Sequence, residues 1–567
     1  MPKGRGKSRA LSKRKNLAYR AVKGYNILVF LYGGGKSLKD TIKRGWALLL
    51  VLVMVSAVCM LFSVRKQGMF IDELYTYGLS NSSYHPFLST SGERYGSVDH
   101  AVITRQELLD YVTVNADEGF DFGSVYYNQV NDVHPPLYYW LFNIASTFAK
   151  GSFSKWTGLV LDWLIYLGSV SMLYALVRKL GGGKYNAAIT AVLYGLSSIG
   201  LSTMIMIRMY VLLTLLTVVL MYFIADLMER FRPCTCVFVG LTLLAGLMTQ
   251  YYFVFYAFFL CAAYVLRAFI KRQYKALAWF IPCALIGALS LLLVFPAALK
   301  HLFAEDLVSG GSAVDNLKNT AQYAIRLHAF AGFARHGLRA AVYTGLICIG
   351  GLCGIFPQVQ RASFDRRFSW DWLVFLVPAY VTFVLVALIS PVDEPRYIYN
   401  LMPAFVLTVS FLLYLLETTT GEKKISDAVR VLAFLAVSGL ALWQARTVPP
   451  DNLFPEHAAY NETLKACADD PCVMFAEPKD AFMPLTEGLV QLLTFPEVYV
   501  TDQQSLDPMF DYVGDADNVV VYIDTSVFWS SGYDADALLK RIAEESDFDK
   551  AEKLFTTGLS TTYLISR

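Results

Sequence analysis

Apolar residues fill this chain in long blocks rather than in the short stripes of a soluble domain. Trp46 to Val64, Phe280 to Phe295 and Trp372 to Ile389 carry no charged residue at all. Such runs approach the roughly 20 residues that a helix needs to cross a bilayer core. Blocks of this kind predict membrane spans at about 46–64, 157–177, 187–206, 209–228, 235–249, 251–270, 276–296, 340–357, 371–390, 398–416 and 428–445. The segment 135–149 is apolar too, but it is short, opens on Pro135-Pro136 and is bounded by Lys150 and Lys155.

Charge decides how that segment lies. If it crossed, the basic loops Lys179 to Lys184, Arg230 to Arg232, Lys271 to Lys275 and Arg361 to Arg367 would all face outside. Laid along the surface, it returns every one of them to the cytoplasm, where short basic loops belong. The reading is then a polytopic α-helical membrane protein of about 11 transmembrane helices plus juxtamembrane helices. Its basic arm, 1–45, is cytoplasmic, with thirteen Lys or Arg against the single acid Asp40. Placed directly before a span, that arm fits an anionic leaflet, and no nucleic-acid partner is expected. It is too long for a cleaved signal peptide, and no small-residue cleavage site follows Val64. Gly33-Gly34-Gly35-Lys36-Ser37 resembles part of a phosphate loop but lacks the preceding strand and the spacing.

Composition agrees: 55% of the 567 residues are hydrophobic, only 17% are charged, and mean hydropathy is +0.43. Soluble domains carry about a quarter charged residues. From 446 to 567 the character changes, with twenty-two acids against eight bases. Val473 to Phe475, Val498 to Val500, Val519 to Ile523 and Thr562 to Ile565 read as short strands. Leu485 to Leu493 and Asp536 to Glu545 read as helices between them. The expected organisation is the arm at 1–45, a membrane domain at 46–445 with a first external loop at 65–156, and an extracytoplasmic α/β domain at 446–567. Of nine cysteines only Cys467 and Cys472 fall in that tail, as a disulfide loop or as free thiols.

Polar residues with chemical potential gather on the outer face. Asp72-Glu73 follows the first span. Adjacent carboxylates repel, which can leave one as a usable base, or they can simply favour a helix start. His134 precedes two prolines that force an extended entry and a helix start. It could bind a metal, orient a phosphate or serve as a structural hydrogen bonder. Arg208 and Arg396 end spans, either snorkelling to the interface or matching a lipid phosphate in bidentate fashion. The loop 299–338 adds Lys300, His301, Arg326, His328, Arg335 and His336. Asp162 lies inside a span, a placement that marks a functional or paired acid. Asn81-Ser82-Ser83 and Asn461-Glu462-Thr463 fit the glycosylation sequon.

Ile71-Asp72-Glu73-Leu74-Tyr75, His134-Pro135-Pro136-Leu137-Tyr138-Tyr139, Arg208-Met209-Tyr210 and Pro395-Arg396-Tyr397 with Pro403 together resemble the GT-C glycosyltransferases. The resemblance is to the dolichyl-phosphate-mannose protein mannosyltransferase-like group that includes aminoarabinose transferases (GT39/GT83-like), and it covers about 46–416. It implies transfer of a hexose or pentose from a polyprenyl-phosphate donor to a lipid, protein or cell-wall polymer on the extracytoplasmic face, with inversion. Asp72 would be the general base and Glu73 would position a substrate, with a divalent metal ion between Glu73 and His134 as one option. Arg208, Arg396, Tyr397 and Arg326 would hold the donor phosphate, while His134, Tyr138 and Tyr210 would position donor and acceptor. Asp162 departs from the pattern, since related sequences often carry an arginine there. Without an endoplasmic-reticulum retention signal, a bacterial plasma membrane is the expected location. The rival readings are a lipid or solute transporter, which would place its polar groups near the midplane and show repeated halves, and an inactive scaffold.

Overall fold

A computed structural model of the chain describes residues 38–567 apart from 90–91, 93–95, 117, 304–319, 356–368, 391–392, 420–425 and 527–531. Most of the expected basic arm, its glycine stretch, and the Arg361 to Arg367 loop therefore lie outside the described residues. The chain divides into two units, Met1–Met54 and Val55–Arg567, and apart from the helix Gly45–Arg65, which runs across the division, everything below concerns the second.

Among the described residues, eight helices are long and apolar enough to cross a membrane: Gly45–Arg65, Lys155–Lys179, Tyr210–Glu229, Phe253–Ile270, Tyr274–Val294, Trp370–Ile389, Pro395–Thr418 and Asp427–Thr447. Two bent pairs bring the number to ten, and the shorter apolar helix Pro233–Leu247 stands where the remaining span was expected. The chain is an integral membrane protein. Pro233–Leu247 lies against Tyr274–Val294 at a crossing of two glycines, where a Cβ on Gly287 would sit 2.2 Å from the Gly240 carbonyl oxygen. Close backbone approach of this kind is how helices pack without a hydrophobic driving force.

Both bent pairs depart from the sequence expectation of straight spans. Lys184–Gly195 and Ser198–Ile205 meet at 59°. Ser197 restarts the helix by accepting from Gly200 N at 3.1 Å, and the Tyr194 carbonyl accepts from Ser197 Oγ at 2.7 Å and from Tyr166 Oη at 3.2 Å. The second pair, Gln322–Gly337 and Arg339–Gly354, meets at 82°. Gln444 of the Asp427–Thr447 span stitches this break, accepting from Ala340 N at 2.7 Å and donating to Gly337 O at 2.6 Å. Backbone groups released inside a membrane protein need such partners. What was read as the loop 299–338 is therefore largely helical in its described parts, Ala297–Phe303 and Thr320–Gly337.

The segment between the first two spans folds into short helices, Ile71–Asn81, Arg105–Val112, Phe122–Asn131 and Leu137–Thr147. Leu137–Thr147 has 11 residues, about 16 Å of helix, too short to cross. The tail forms a mixed six-stranded sheet in the order β1-β3-β2-β4-β6-β5. Its strands are β1 Ala101–Thr104, β2 Cys472–Phe475, β3 Glu497–Thr501, β4 Asn518–Asp524, β5 Lys550–Thr556 and β6 Ser560–Ser566. β2, β3 and β4 are parallel, and the other pairings are antiparallel. Val473, Phe475, Val519, Val521, Ile523, Leu538 and Ile542 belong to one buried core on this sheet. β1 comes from the first loop, so the sheet is not built from the tail alone. Cys467 and Cys472 are buried free thiols. Asn81 is buried, with its amide donating to Val112 O at 2.8 Å, so the first sequon presents no accessible side chain.

Candidate active site

The linker 66–70 runs from the first span into the Ile71–Asn81 helix. No side chain caps this helix from Phe70. Glu73, at the third helical position, supplies the missing acceptor by reaching back to Phe70 N at 2.7 Å, half of a capping box. Lys66 Nζ lies 2.9 Å from the same oxygen, with both side chains fully buried, and the other carboxylate oxygen takes Ile207 N at 2.8 Å. Lys66 also donates to Asn452 O at 2.7 Å. Burial pushes the Lys66 ammonium below its ordinary value, and Glu73 pulls it partly back. Glu73 joins the end of the first span to the 206–209 linker and, through Lys66, to the segment after the last span.

Fixing Glu73 turns Asp72, its neighbour on the first helical turn, towards two cations. Arg396 contacts Asp72 Oδ2 directly, and Arg208 Nε lies 3.9 Å from the same oxygen. Arg208 is fixed from behind, with Nη1 donating to Thr76 Oγ1 at 3.2 Å and to Tyr139 Oη at 3.0 Å. Its linker packs closely because residue 158 is glycine: a Cβ there would fall 2.3 Å from Ile207 Cγ2. Arg396 lies on the 3-10 helix Pro395–Leu401, its guanidinium over the rings of Phe70 and Tyr397 at 5.6 and 5.8 Å. Burial opposes ionisation of Asp72, but Arg396 and then Arg208 outweigh it and hold the carboxyl below its usual range.

Around this pair stand the other sequence candidates. His134 Nδ1 is 2.7 Å from Asp132 Oδ2, and its ring lies 6.5 Å from that of Tyr139. Tyr210 and Tyr397 are within electrostatic reach of Asp72, with Tyr397 tilted on Tyr252 at 5.1 Å. Tyr138 is set apart: it donates to Asp162 Oδ1 at 2.7 Å and so supplies the partner that this intramembrane acid needs. Arg326 sits further out, donating to Ser390 O and reaching Tyr252 electrostatically. Of the remaining loop cations, His301 joins the edge of the site, 3.0 Å from Tyr251 Oη and 3.2 Å from Val130 O. His328, Arg335 and His336 are exposed.

Glu73 and His134, one option for a metal pair, are each engaged by other partners. Both Glu73 oxygens are taken by nitrogen donors, and His134 Nδ1 is taken by Asp132. Among the described residues, no group of three or more His, Cys, Asp or Glu could hold a metal ion. Reading the sequence alone missed Lys66, Thr76, Tyr139 and Asp132. Only Asp132 left a usable signal, since its spacing of two from His134 on an extended pre-proline segment puts both side chains on one side.

No protein-family model matches the chain, and no curated protein does. Solved structures do. ArnT from Cupriavidus metallidurans bound to undecaprenyl phosphate aligns with a TM-score of 0.50 at 11% identity, over 92% of this chain and 98% of that one. The Archaeoglobus fulgidus oligosaccharyltransferase in the apo form aligns at 0.48 and 12%, over 86% and 70%. The mycobacterial arabinofuranosyltransferase AftD aligns at 0.41 and 15%, over 91% and 40%. With its bundle of apolar helices, its short helices in the first loop and its C-terminal sheet, the chain has the fold of the GT-C glycosyltransferases.

Proposed function

We propose that this protein is a membrane glycosyltransferase moving a sugar from a polyprenyl-phosphate donor to an acceptor on the extracytoplasmic face, with inversion. The observation that carries the reading is the cluster of Asp72, Arg208 and Arg396 at one end of the bundle. A carboxylate and two guanidiniums are the set that such a transfer needs. The acceptor oxygen attacks the anomeric carbon while Asp72 takes its proton. The bond from that carbon to the phosphate oxygen breaks, its electron pair stays on the phosphate, and Arg208 and Arg396 stabilise the growing charge. Tyr397, Tyr210 and the His134–Asp132 pair line the approach, and Arg326 serves a more distant part of the donor headgroup. The undecaprenyl phosphate bound by ArnT, a protein of the same fold, supports a lipid-phosphate donor here, which the bilayer would hold beside the site. We place the N-terminus in the cytoplasm, the sheet domain outside, and the protein in a bacterial plasma membrane. Against a transporter stands the grouping of these residues at helix ends rather than midway along the spans.

The test is transfer in proteoliposomes from a panel of radiolabelled polyprenyl-phosphate sugars, with envelope extract as acceptor, comparing wild type with Asp72→Asn. Transfer by the wild type and a loss of 10²-fold or more in a folded Asp72→Asn variant is expected. Equal transfer by both removes Asp72 as base, and no transfer from any donor removes the transferase reading.

A further inference from the structure

Asp72 is an odd base as it stands. A carboxylate gripped by two guanidiniums has little drive to accept a proton, because protonation would strand one buried and one half-buried cation. One of them, Arg208, is 3% exposed. Yet each cation also keeps a donor in reserve. Arg208 Nε and Arg396 Nε are both buried and have no hydrogen-bond partner among the described residues. Two guanidiniums share one carboxylate oxygen, so their positive charge is only partly answered by Asp72. The other charges acting on the group are His134 and Asp132, which act on Asp72, and Glu394, which acts on Arg396 without bonding it. Asp132 is already engaged by His134. The arrangement is an anion site with spare buried donors, filled by an internal carboxylate.

Resting on the donor reading above, we propose that Asp72 holds the place of the donor phosphate on Arg208 and Arg396. Donor binding itself then arms the base, and donor must bind before acceptor can be deprotonated. A phosphate has three oxygens to offer the fork of each arginine, where Asp72 offers one. Arg208 stays put, held by Thr76 and Tyr139, while Arg396 is held by Asp72, by Tyr397 and by two ring faces. The incoming phosphate takes Arg396 and the free Nε groups, and Asp72 is left partly exposed with its negative charge less compensated. Its basicity rises only in the complex where a proton has to be taken, so the donor-free enzyme does not activate an acceptor hydroxyl or water to no purpose. When the sugar has moved, the acceptor proton is on Asp72, and the neutral acid no longer competes with the product phosphate. Loss of that proton to water lets the carboxylate displace it.

The proposal makes an unusual demand of a catalytic residue: removing it should tighten ligand binding. Full-length protein in nanodiscs is titrated with undecaprenyl phosphate, which carries no sugar. Asp72→Asn is expected to bind about tenfold tighter than wild type. Glu394→Gln, which removes a nearby charge that does not hold the arginine, is expected to change binding less than about twofold. In an Arg396→Gln background the gain from Asp72→Asn should largely vanish, since the two effects run through one contact. Asp72→Ser repeats the test should the asparagine variant fail to fold. Saturable wild-type binding that both Asp72 variants leave unchanged or weaken overturns the place-holding role. Equal tightening by Glu394→Gln also overturns it, because that is general electrostatics. No saturable binding by the wild type overturns the donor reading itself.

Discussion

Replacing Glu73 with glutamine separates two roles that its position next to Asp72 confuses. The side chain keeps its shape but loses its charge, and one of its two oxygens becomes a donor. In the native site, Lys66 Nζ and Phe70 N approach one oxygen at 2.9 and 2.7 Å, and Ile207 N approaches the other at 2.8 Å. Glutamine must turn its NH2 group to one side or the other, so a donor faces a donor in either orientation. Breaking a buried ion pair by removing one partner costs roughly 3–5 kcal/mol. Lys66 limits the loss, because burial already depresses its basicity and it keeps the Asn452 carbonyl at 2.7 Å, so about 3 kcal/mol is the fitting figure. At roughly 2 °C per kcal/mol for a large domain, the unfolding midpoint should fall by about 6 °C. The assay is thermal unfolding in detergent at one fixed scan rate, with transfer activity measured on the folded fraction. Adding Lys66→Met, which removes the stranded ammonium, should restore part of the loss. An unchanged midpoint with transfer abolished would refute the argument, since Glu73 would then act on substrate rather than hold the helix.

Three further outcomes follow from other contacts. Tyr138→Phe leaves Asp162 without its 2.7 Å donor and should cost about 1–3 kcal/mol in unfolding measurements; Asp162→Asn in the same background should relieve much of it. His457 is depressed by burial, with Glu456 opposing and Lys66 adding to the effect. A group depressed in the fold contributes stability that is present above its unfolded value near 6.5 and lost as pH falls below it. The midpoint should therefore drop between pH 7 and 5.5 in wild type and drop less in His457→Gln. Gly287→Val drives a side chain into the Gly240 carbonyl and should reduce the yield of folded protein on size-exclusion chromatography, whereas Gly350→Ala, which meets nothing within 4 Å, should not.

What could be read from the chain beforehand follows from which forces act locally. Uninterrupted apolar runs announce their spans because the bilayer selects them one at a time. The Leu137–Thr147 helix is too short to cross, and its shortness is legible from the two prolines and two lysines that bound it. The bends at Leu196-Ser197 and at Leu338 were not legible: they depend on Gln444 and Tyr166, partners far away in sequence. β5 was missed because an edge strand such as Lys550–Thr556 is largely polar, and β1 because four residues carry too little pattern. In the site, the types and order of Asp72, Arg208 and Arg396 were visible. Which of two adjacent carboxylates faces the arginines was not, because Lys66, Ile207 and Phe70 decide it, and none of them looks chemical.

The edge strand β1 also sets a timetable for the molecule. Ala101 pairs with Val500, and His100 bonds Tyr499 at 3.2 Å across 399 positions. The Ile71–Asn81 helix likewise sets Ile71 and Tyr75 against Phe482 and Met483. Both pieces leave the ribosome hundreds of residues ahead of their partners. A nascent chain that has already inserted most of its spans still carries an unpaired strand and a bare apolar helix face beside the proposed site. Synthesis must pass Val500 before that strand and face are covered, so a product terminated before it would hold the apolar helices with both left bare.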